Sequence, residues 1–343
     1  MRYRVTLIPG DGIGREVSDA MVRVVDLVTD GRIEWERVVA GSQAVEQGLG
    51  PLPEAALDSV RRNRIAIKGP LQTPIGTGWR SVNVALRQEM DLYACLRPVK
   101  SLPGVPARFE NVDLVVVREN TEGLYSGREH EVVDGVVEAL KIVTRRASER
   151  IMRFAFEYAR HHGRKRLCVL HKVSVMPLSD GLFIDCARRI ADDYPYLEME
   201  LVPIDTIFLE LLRDPTRYDM LVSGNLDGDL LSDLCAGLVG GLGIVPGANL
   251  GDGCAIFEAV HGTAPDLAGK DVANPIALIL SAELLLRHIG ELAPADRLRR
   301  GVEELLEGGR HLTRDLGGQA GTSEMTEALL EILESIPEQG GLR

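Results

Sequence analysis

The chain has 343 residues, a formal net charge of −12, and 45% of its residues are hydrophobic, ample for a large core and for two domains. The acidic balance argues against a nucleic-acid partner and against an anionic membrane surface. Five cysteines, an odd number without a C-x-x-C pair, argue against a disulfide framework or zinc ribbon and point to free thiols in a reducing cytoplasm.

"RVTLIP" reads as a strand that starts almost at once, with no apolar signal region before it, which again points to the cytoplasm. "IPGDGIGREV" follows that strand and opens a helix over Arg15–Val28. It resembles a dinucleotide fingerprint but fails it: Gly10 and Gly12 fit G-x-G-x-x-G, whereas Arg15 stands at the third glycine and Gly14 comes one residue early. A tight structural turn explains these glycines better. "RIAIKGP" is a further strand. "RSVNVALRQEMDLYACLRPV" runs helix then strand, and "VDLVVVREN" is a buried strand.

Over 126–144 the alternation breaks. Two β-rich segments flank Asp134-Gly135, a hairpin signal that fits either an arm pairing with another subunit or a plain surface hairpin. "ASERIMRFAFEYARHHG" is a strong helix with Ser148 as candidate N-cap and Gly163 at its end. "RLCVLHK" (strand), "SDGLFIDCARRIADDY" (helix) and "YDMLVSGN" (strand) continue an α/β alternation. "ANPIALILSAELLLRHIG" is broken by Pro275 and Glu283 and too short to span a bilayer, so it reads as a buried core helix.

Four groups of residues carry chemistry. On a helix, Arg80, Asn83 and Arg87 share a face with Ser81 at its start, while Arg97 and Arg118 lie on apolar strands. One such arginine reads as a structural ion pair. Three with Ser and Asn alongside point to a polycarboxylate, which the guanidinium fork grips in pairs of hydrogen bonds. In "NLDGDLLSDL", Asp229 and Asp233 sit four apart on one helix face, and Asp205 stands between apolar stretches. Hard oxygen donors without histidine suit Mg²⁺ or Mn²⁺, although acids near a helix start also favour its dipole. Lys172 ends an apolar strand, where a desolvated lysine can serve as a base, and Tyr125 is a candidate general acid. Finally, "FEAVHGTAPDLAGKDVANP" is loop-like, and Asp266 there could bind a ribose diol and repel a 2′-phosphate.

In this order the segments resemble the β-decarboxylating dehydrogenase family, which includes isocitrate, 3-isopropylmalate, homoisocitrate, tartrate and malate dehydrogenases. "GDLLSD", "HGTAPD" and "DLYACLRP" match in register, and the likeness runs from "LIPGDGIG" to "LTRDLGG". The resemblance implies an α/β fold of the isocitrate/isopropylmalate dehydrogenase type with two α/β domains and a non-Rossmann cofactor site. Residues 1–98 with 250–343 would form a large cofactor-binding domain. Residues 99–249 would form a small dimerisation domain with the arm near 126–144.

"RSVNVALR" looks like the isocitrate branch, in which Ser81 and Asn83 receive the γ-carboxylate. Isopropylmalate enzymes carry apolar residues there. The resemblance gives Thr73, Arg87, Arg97 and Arg118 to the substrate, Asp229, Asp233 and Asp205 to Mg²⁺ or Mn²⁺, and Tyr125, Lys172 and Asp205 to catalysis. Lys172 and Asp205 would cross to the neighbouring site of a homodimer with shared active sites. Leu71, Thr73, Asn225, Glu258, His261, Gly262, Thr263, Ala264, Asp266, Asn274 and Asp315 would hold the cofactor. Asp266-Leu267 looks like the NAD type; NADP enzymes have Lys-Tyr there, and Tyr and Arg near the C-terminal end, where this chain has Arg314 and Gly318.

The implied reaction is oxidation and decarboxylation of isocitrate to 2-oxoglutarate with NAD. The clear departure is Ser174, where the isocitrate pattern has Asn. It keeps open an analogue substrate: homoisocitrate, 3-isopropylmalate, or tartrate/malate. A non-catalytic regulatory role is the alternative of another class, and the full set Tyr125, Lys172, Asp205, Asp229 and Asp233 argues against it.

Overall fold

A computed structural model describes residues 2–72 and 81–337. The expected site residues Thr73 and Arg80 lie outside the described residues. The strands are β1 (Tyr3–Ile8), β2 (Ile33–Arg37), β3 (Ile65–Lys68), β4 (Ala94–Lys100), β5 (Asp113–Glu119), β6 (Glu129–Val133), β7 (Val136–Ala139), β8 (Arg166–His171), β9 (Glu198–Pro203), β10 (Met220–Ser223), β11 (Pro246–Leu250) and β12 (Ala255–Ala259). The helices are α1 (Gly14–Val28), α2 (Ser42–Glu46), α3 (Glu54–Asn63), α4 (Val82–Glu89), α5 (Arg145–His161), α6 (Ser179–Ala191), α7 (Ile204–Arg213), α8 (Asn225–Leu238), α9 (Ile276–His288), α10 (Leu292–Gly308) and α11 (Thr322–Ser335).

Ten strands form one sheet in the order β2-β1-β3-β12-β11-β4-β5-β10-β8-β9. The wing β2-β1-β3-β12 is parallel, and so is the wing β5-β10-β8-β9. Antiparallel pairs through β11 and β4 join them. The α/β expectation holds. The parallel wings need helical crossovers, and strands covered on both faces lose the polar alternation of a half-exposed strand. Leu114–Val117 on β5 is fully buried for this reason. Helix α9 is the expected core helix. Its one acid, Glu283, is 2% exposed and held by Arg287 and by Arg299 at 2.8 Å. Among the described residues, no helix is long and apolar enough to cross a membrane.

Two local readings are refined. Helix α5 is capped by Thr144, whose side chain accepts from Ala147 N at 3.1 Å, and not by Ser148. Two arginines precede Ala147, so the polar first turn hid the true start. Ser148 lies inside that turn and donates to Thr144 O. The Asp134-Gly135 hairpin forms as β6–β7, a sheet of its own with every residue exposed. Val133 and Val137 are 61% and 65% exposed. A two-stranded ribbon is marginal in water, so these valines lack the packing that would hold it.

The glycine run is a clasp. A Cβ on Gly12 would stand 2.0 Å from Thr263 O, and one on Gly10 2.3 Å from Pro70 O. Ile13 N donates to Thr263 O, and Asp11 N donates to Pro70 O. The loop packs backbone on backbone at a spot where a Rossmann loop would receive a pyrophosphate, which agrees with the failed fingerprint.

Candidate active site

A cavity of about 240 Å³ opens beside the antiparallel centre of the sheet. Strand register builds its floor. Glu258 on β12 lies next to Lys68 on β3, and Arg118 on β5 lies opposite Cys95 on β4, two residues before Arg97. Helix α4 adds Asn83 and Arg87 with Ser81 at its N-cap. A turn after β5 adds Tyr125, and α8 adds Asp229. Leu71, His261 and Gly262 complete the wall.

The glycine before Asp229 has a purpose. A Cβ on Gly228 would meet the Cβ and Cγ of Arg118 at 2.8 Å. Glycine costs a helix about 1 kcal/mol against alanine. Here it lets α8 approach β5 closely enough for Asp229 to pair with Arg118. Asp229 also accepts from the Tyr125 hydroxyl, and the Arg118 guanidinium lies 4.9 Å from the Tyr125 ring centre.

Among the described residues, four basic side chains, Lys68, Arg87, Arg97 and Arg118, face two carboxylates, Glu258 and Asp229, in this cavity. Glu258 is already spent. It binds Lys68, Arg87 at 2.9 Å and Asn249 at 2.7 Å. Burial would raise its pKa, but Lys68, Arg87 and Arg97 outweigh that and hold it well below the usual carboxylate range. Burial likewise acts on Asp229 and is outweighed by Arg118, Tyr125 and the further arginines, so it stays ionised. Burial, then the Asp229 carboxylate, pushes the Tyr125 phenol upward and keeps it protonated. The excess of positive charge is left for a ligand. Three buried polar atoms on the wall, Asn83 Oδ1, Arg87 Nε and His261 Nε2, have no hydrogen-bond partner among the described residues. Unpaired buried polar groups cost about 1–3 kcal/mol each, so these call for a hydrogen-bonding guest.

Asp233 lies one turn beyond Asp229 on α8, as expected, and is the more exposed of the two. Partial desolvation and then, against the pull of Arg97, the Asp229 charge push its pKa up. Asp205 does not join them within one chain; among the described residues no three acidic, His or Cys groups come together. It begins α7 and pairs with Lys172 at 2.7 Å, with side chains 64% and 31% exposed. Within a single chain Lys172 is only partly buried, not enclosed as expected. The Lys172 ammonium is the chief reason Asp205 stays below its ordinary value.

The remaining expected cofactor residues sit outside the cavity. Asn225 is buried and accepts from Arg118 at 2.7 and 3.0 Å. Asn274 binds Asp315 at 2.8 Å. Thr263 O receives Ile13 N, Ala264 has φ +37°, and Asp266 is exposed in a short 3-10 turn. Sequence reasoning missed Lys68. Its signal was the one applied to Lys172: a lysine closing an apolar strand, here in "RIAIKGP".

A family profile described as isocitrate/isopropylmalate dehydrogenase matches residues 4–329. A Drosophila melanogaster protein named as the probable mitochondrial alpha chain of NAD isocitrate dehydrogenase is 50% identical, over 95% of this chain and 86% of that one. A chloroplastic 3-isopropylmalate dehydrogenase of Solanum tuberosum is 49% identical over 90% and 86%. A mitochondrial regulatory chain of NAD isocitrate dehydrogenase from Dictyostelium discoideum is 48% identical over 97% and 93%. The crystal structure of an isocitrate dehydrogenase from Methylococcus capsulatus superposes with a TM-score of 0.94 at 48% identity, covering 97% of this chain and all of that one. The cytoplasmic expectation is corrected: these curated relatives carry organelle names. Free thiols report a reducing environment, and several compartments provide one.

Proposed function

Because the chain belongs to the isocitrate/isopropylmalate dehydrogenase family, we propose that it is an NAD-dependent isocitrate dehydrogenase that oxidises and decarboxylates isocitrate to 2-oxoglutarate and CO₂. The observation that carries this reading is the cavity itself. It holds a surplus of cations, and Ser81 and Asn83 stand where an apolar substituent would need apolar contacts. Asn83 favours isocitrate over 3-isopropylmalate, since its side-chain NH₂ can donate to a γ-carboxylate, whereas an alkyl substituent would leave that donor unsatisfied. The regulatory reading is weaker because Tyr125, Lys172, Asp205, Asp229 and Asp233 are all present.

Arg87, Arg97 and Arg118 bind the α- and β-carboxylates, and Ser81 and Asn83 bind the γ-carboxylate. Thr73 belongs to the same set. Asp229 and Asp233, with Asp205 of a second copy, would hold Mg²⁺ or Mn²⁺. Their hard oxygen donors and the incomplete counter-charge on Asp233 fit such an ion. Leu71, Thr73, Asn225, His261, Gly262, Thr263, Ala264, Asn274 and Asp315 would hold NAD, with Asp266 on the ribose diol. Glu258 serves this site as counter-charge to Lys68 and Arg87. When bound, the divalent cation supplies positive charge at the substrate's C2 oxygen and the nicotinamide supplies the hydride acceptor.

Lys172, held in place by Asp205, takes the C2 hydroxyl proton as its neutral amine and becomes the ammonium that pairs with the Asp205 carboxylate. The arginines keep the β-carboxylate oriented for departure as CO₂. Tyr125, protonated and aimed by Asp229, returns a proton to C3.

Lys172 and Asp205 act in the site of a second chain. Leu209, Leu212 and Leu230 leave an apolar face on α7 and α8 that is 43–56% exposed, and the arm adds more. This supports a dimer with shared sites, built from two copies or, as the names of relatives suggest, from related chains. The two wings of the sheet support a large domain of residues 1–98 with 250–343 and a small one of 99–249.

The test is reduction of NAD⁺ or NADP⁺ by the purified chain with Mg²⁺ against isocitrate, homoisocitrate, 3-isopropylmalate, malate and tartrate. Turnover confined to isocitrate with NAD⁺ is expected. Preference for 3-isopropylmalate, or silence with every acid, would sink the proposal.

A further inference from the structure

Lys172 sits on a short connection between β8 and α6, and its main chain is held by a residue the mechanism above does not use. Asp180 lies in the first turn of α6 and is 5% exposed. Its Oδ2 accepts the Lys172 amide at 2.6 Å, and its Oδ1 accepts the Lys141 ammonium at 2.6 Å. The span between closes on itself: Val175 N and Met176 N both donate to Lys172 O at 2.9 Å, and Asp180 N donates to Met176 O at 3.1 Å. An acid in a first helical turn already suits the helix dipole. Here both oxygens are also committed outside the helix, one to the connection just before it and one to a segment 39 residues away.

The second segment is the root of the arm. Lys141 lies two residues beyond the end of β7. Its neighbour Ile142 exchanges main-chain hydrogen bonds with Gly123, at 2.9 and 3.4 Å. Thr144 donates from N and Oγ1 to Glu122, both at 2.8 Å. The turn carrying Tyr125 follows at once. Residues 141–144 thus bridge the Tyr125 turn on one side and, through Asp180, the Lys172 connection on the other. The further acid facing Lys141 is Asp227, at the start of α8.

We propose that Asp180 is a positioning residue for Lys172, and that the Lys141–Asp180 pair ties the lysine offered to a neighbouring site to the tyrosine working in the chain's own site. This rests on the reading of Lys172 as the proton acceptor. Asp180 touches no reacting atom. It fixes the main chain from which Lys172 reaches Asp205, and a displacement of about 1 Å in a proton-transfer group can cost on the order of a hundredfold in rate.

The test uses the full chain with Asp180→Ala, Asp180→Asn and Lys141→Met. The first readout needs no turnover: acylation of Lys172 by acetic anhydride, quantified by mass spectrometry against the exposed Lys100. In Asp180→Ala the ratio is expected to rise at least about threefold as the Lys172–Asp205 pair loosens. The second readout is steady-state kinetics. Asp180→Ala should lower kcat by about a hundredfold and Asp180→Asn by about tenfold, with KM for isocitrate within about threefold. Lys141→Met should lower kcat in the same direction by less. Should Asp180→Ala fail to fold, Asp180→Asn carries the test. Unchanged Lys172 acylation, or kcat within about threefold of the parent, overturns the proposal. A parent chain silent with every acid overturns the function instead, and the acylation ratio still decides on Asp180.

Discussion

The arginine cavity and the Lys172–Asp205 pair are both charged, and they are built in opposite ways. In the cavity, Arg118, Lys68 and Glu258 are 1%, 3% and 5% exposed, and Lys68 pairs with Glu258 and Arg118 with Asp229 inside one chain. Lys172 and Asp205 have each other and water. The first arrangement is part of the fold, since a buried charge must be paired. In the proposed shared-site dimer, the second is an offered pair whose environment the other chain would finish. One consequence is that mutations of the two regions should separate stability from activity.

The largest effect is expected at Arg118. Arg118→Leu strands Asp229 without its cation and removes both donors to Asn225. Stability should fall by about 3–5 kcal/mol in denaturant titrations, and kcat/KM by a factor of about a thousand or more. Equal stability would show that the cavity is not a folding element. Tyr125→Phe should follow, with kcat down about a hundredfold and substrate KM nearly unchanged. Loss of binding in its place would remove Tyr125 from the proton-transfer role.

Asp205→Asn sharpens the contrast. Asp205 is exposed and Lys172 only partly buried, so unfolding free energy should move by less than about 1 kcal/mol while turnover collapses. Chains of Asp205→Asn and Tyr125→Phe, unfolded and refolded together, should regain about a quarter of parental activity. Half the dimers would be mixed, each with one intact site of two. No regain would place both residues in the same site of one chain. The pH dependence separates the regions again. Glu258 has a depressed folded pKa, so its contribution is fully present above an unfolded value of about 4.3 and is lost as pH falls through the folded value. Glu258→Gln should flatten the acid limb of a stability–pH curve. The smallest effect is expected from Val137→Lys on the arm. It should change chain stability by no more than about 0.5 kcal/mol, yet make activity depend on protein concentration.

Much of the site could be read from spacing because helices turn spacing into faces. Asp229 and Asp233 fall on one side of α8, and Asn83 with Arg87 on one side of α4. The hairpin was legible because Asp-Gly supplies the positive φ its turn needs, +76° at Gly135. Lys68 stayed hidden because its partner Glu258 is 190 residues away and only strand register brings them together. The need for glycine at 228 was not legible, because the close approach of Arg118 that demands it comes from a strand more than a hundred residues away. The cap of α5 was misplaced because Thr144 precedes two arginines that carry no apolar period. The compartment was not legible at all, since no contact in the fold depends on it.

The sheet order has a consequence for synthesis on the ribosome. Strands β5, β8, β9 and β10 come from residues 113–223, a continuous stretch, so that wing can assemble as soon as it emerges. The other wing cannot. Strands β1, β2 and β3 are made first, but β3 pairs with β12, and α1 packs against α9, α10 and α11, all beyond residue 254. The oldest part of the nascent chain therefore waits, with apolar strand edges exposed, for the youngest. Chaperone binding during translation should concentrate on residues 1–100 and end only once α9 has cleared the exit tunnel.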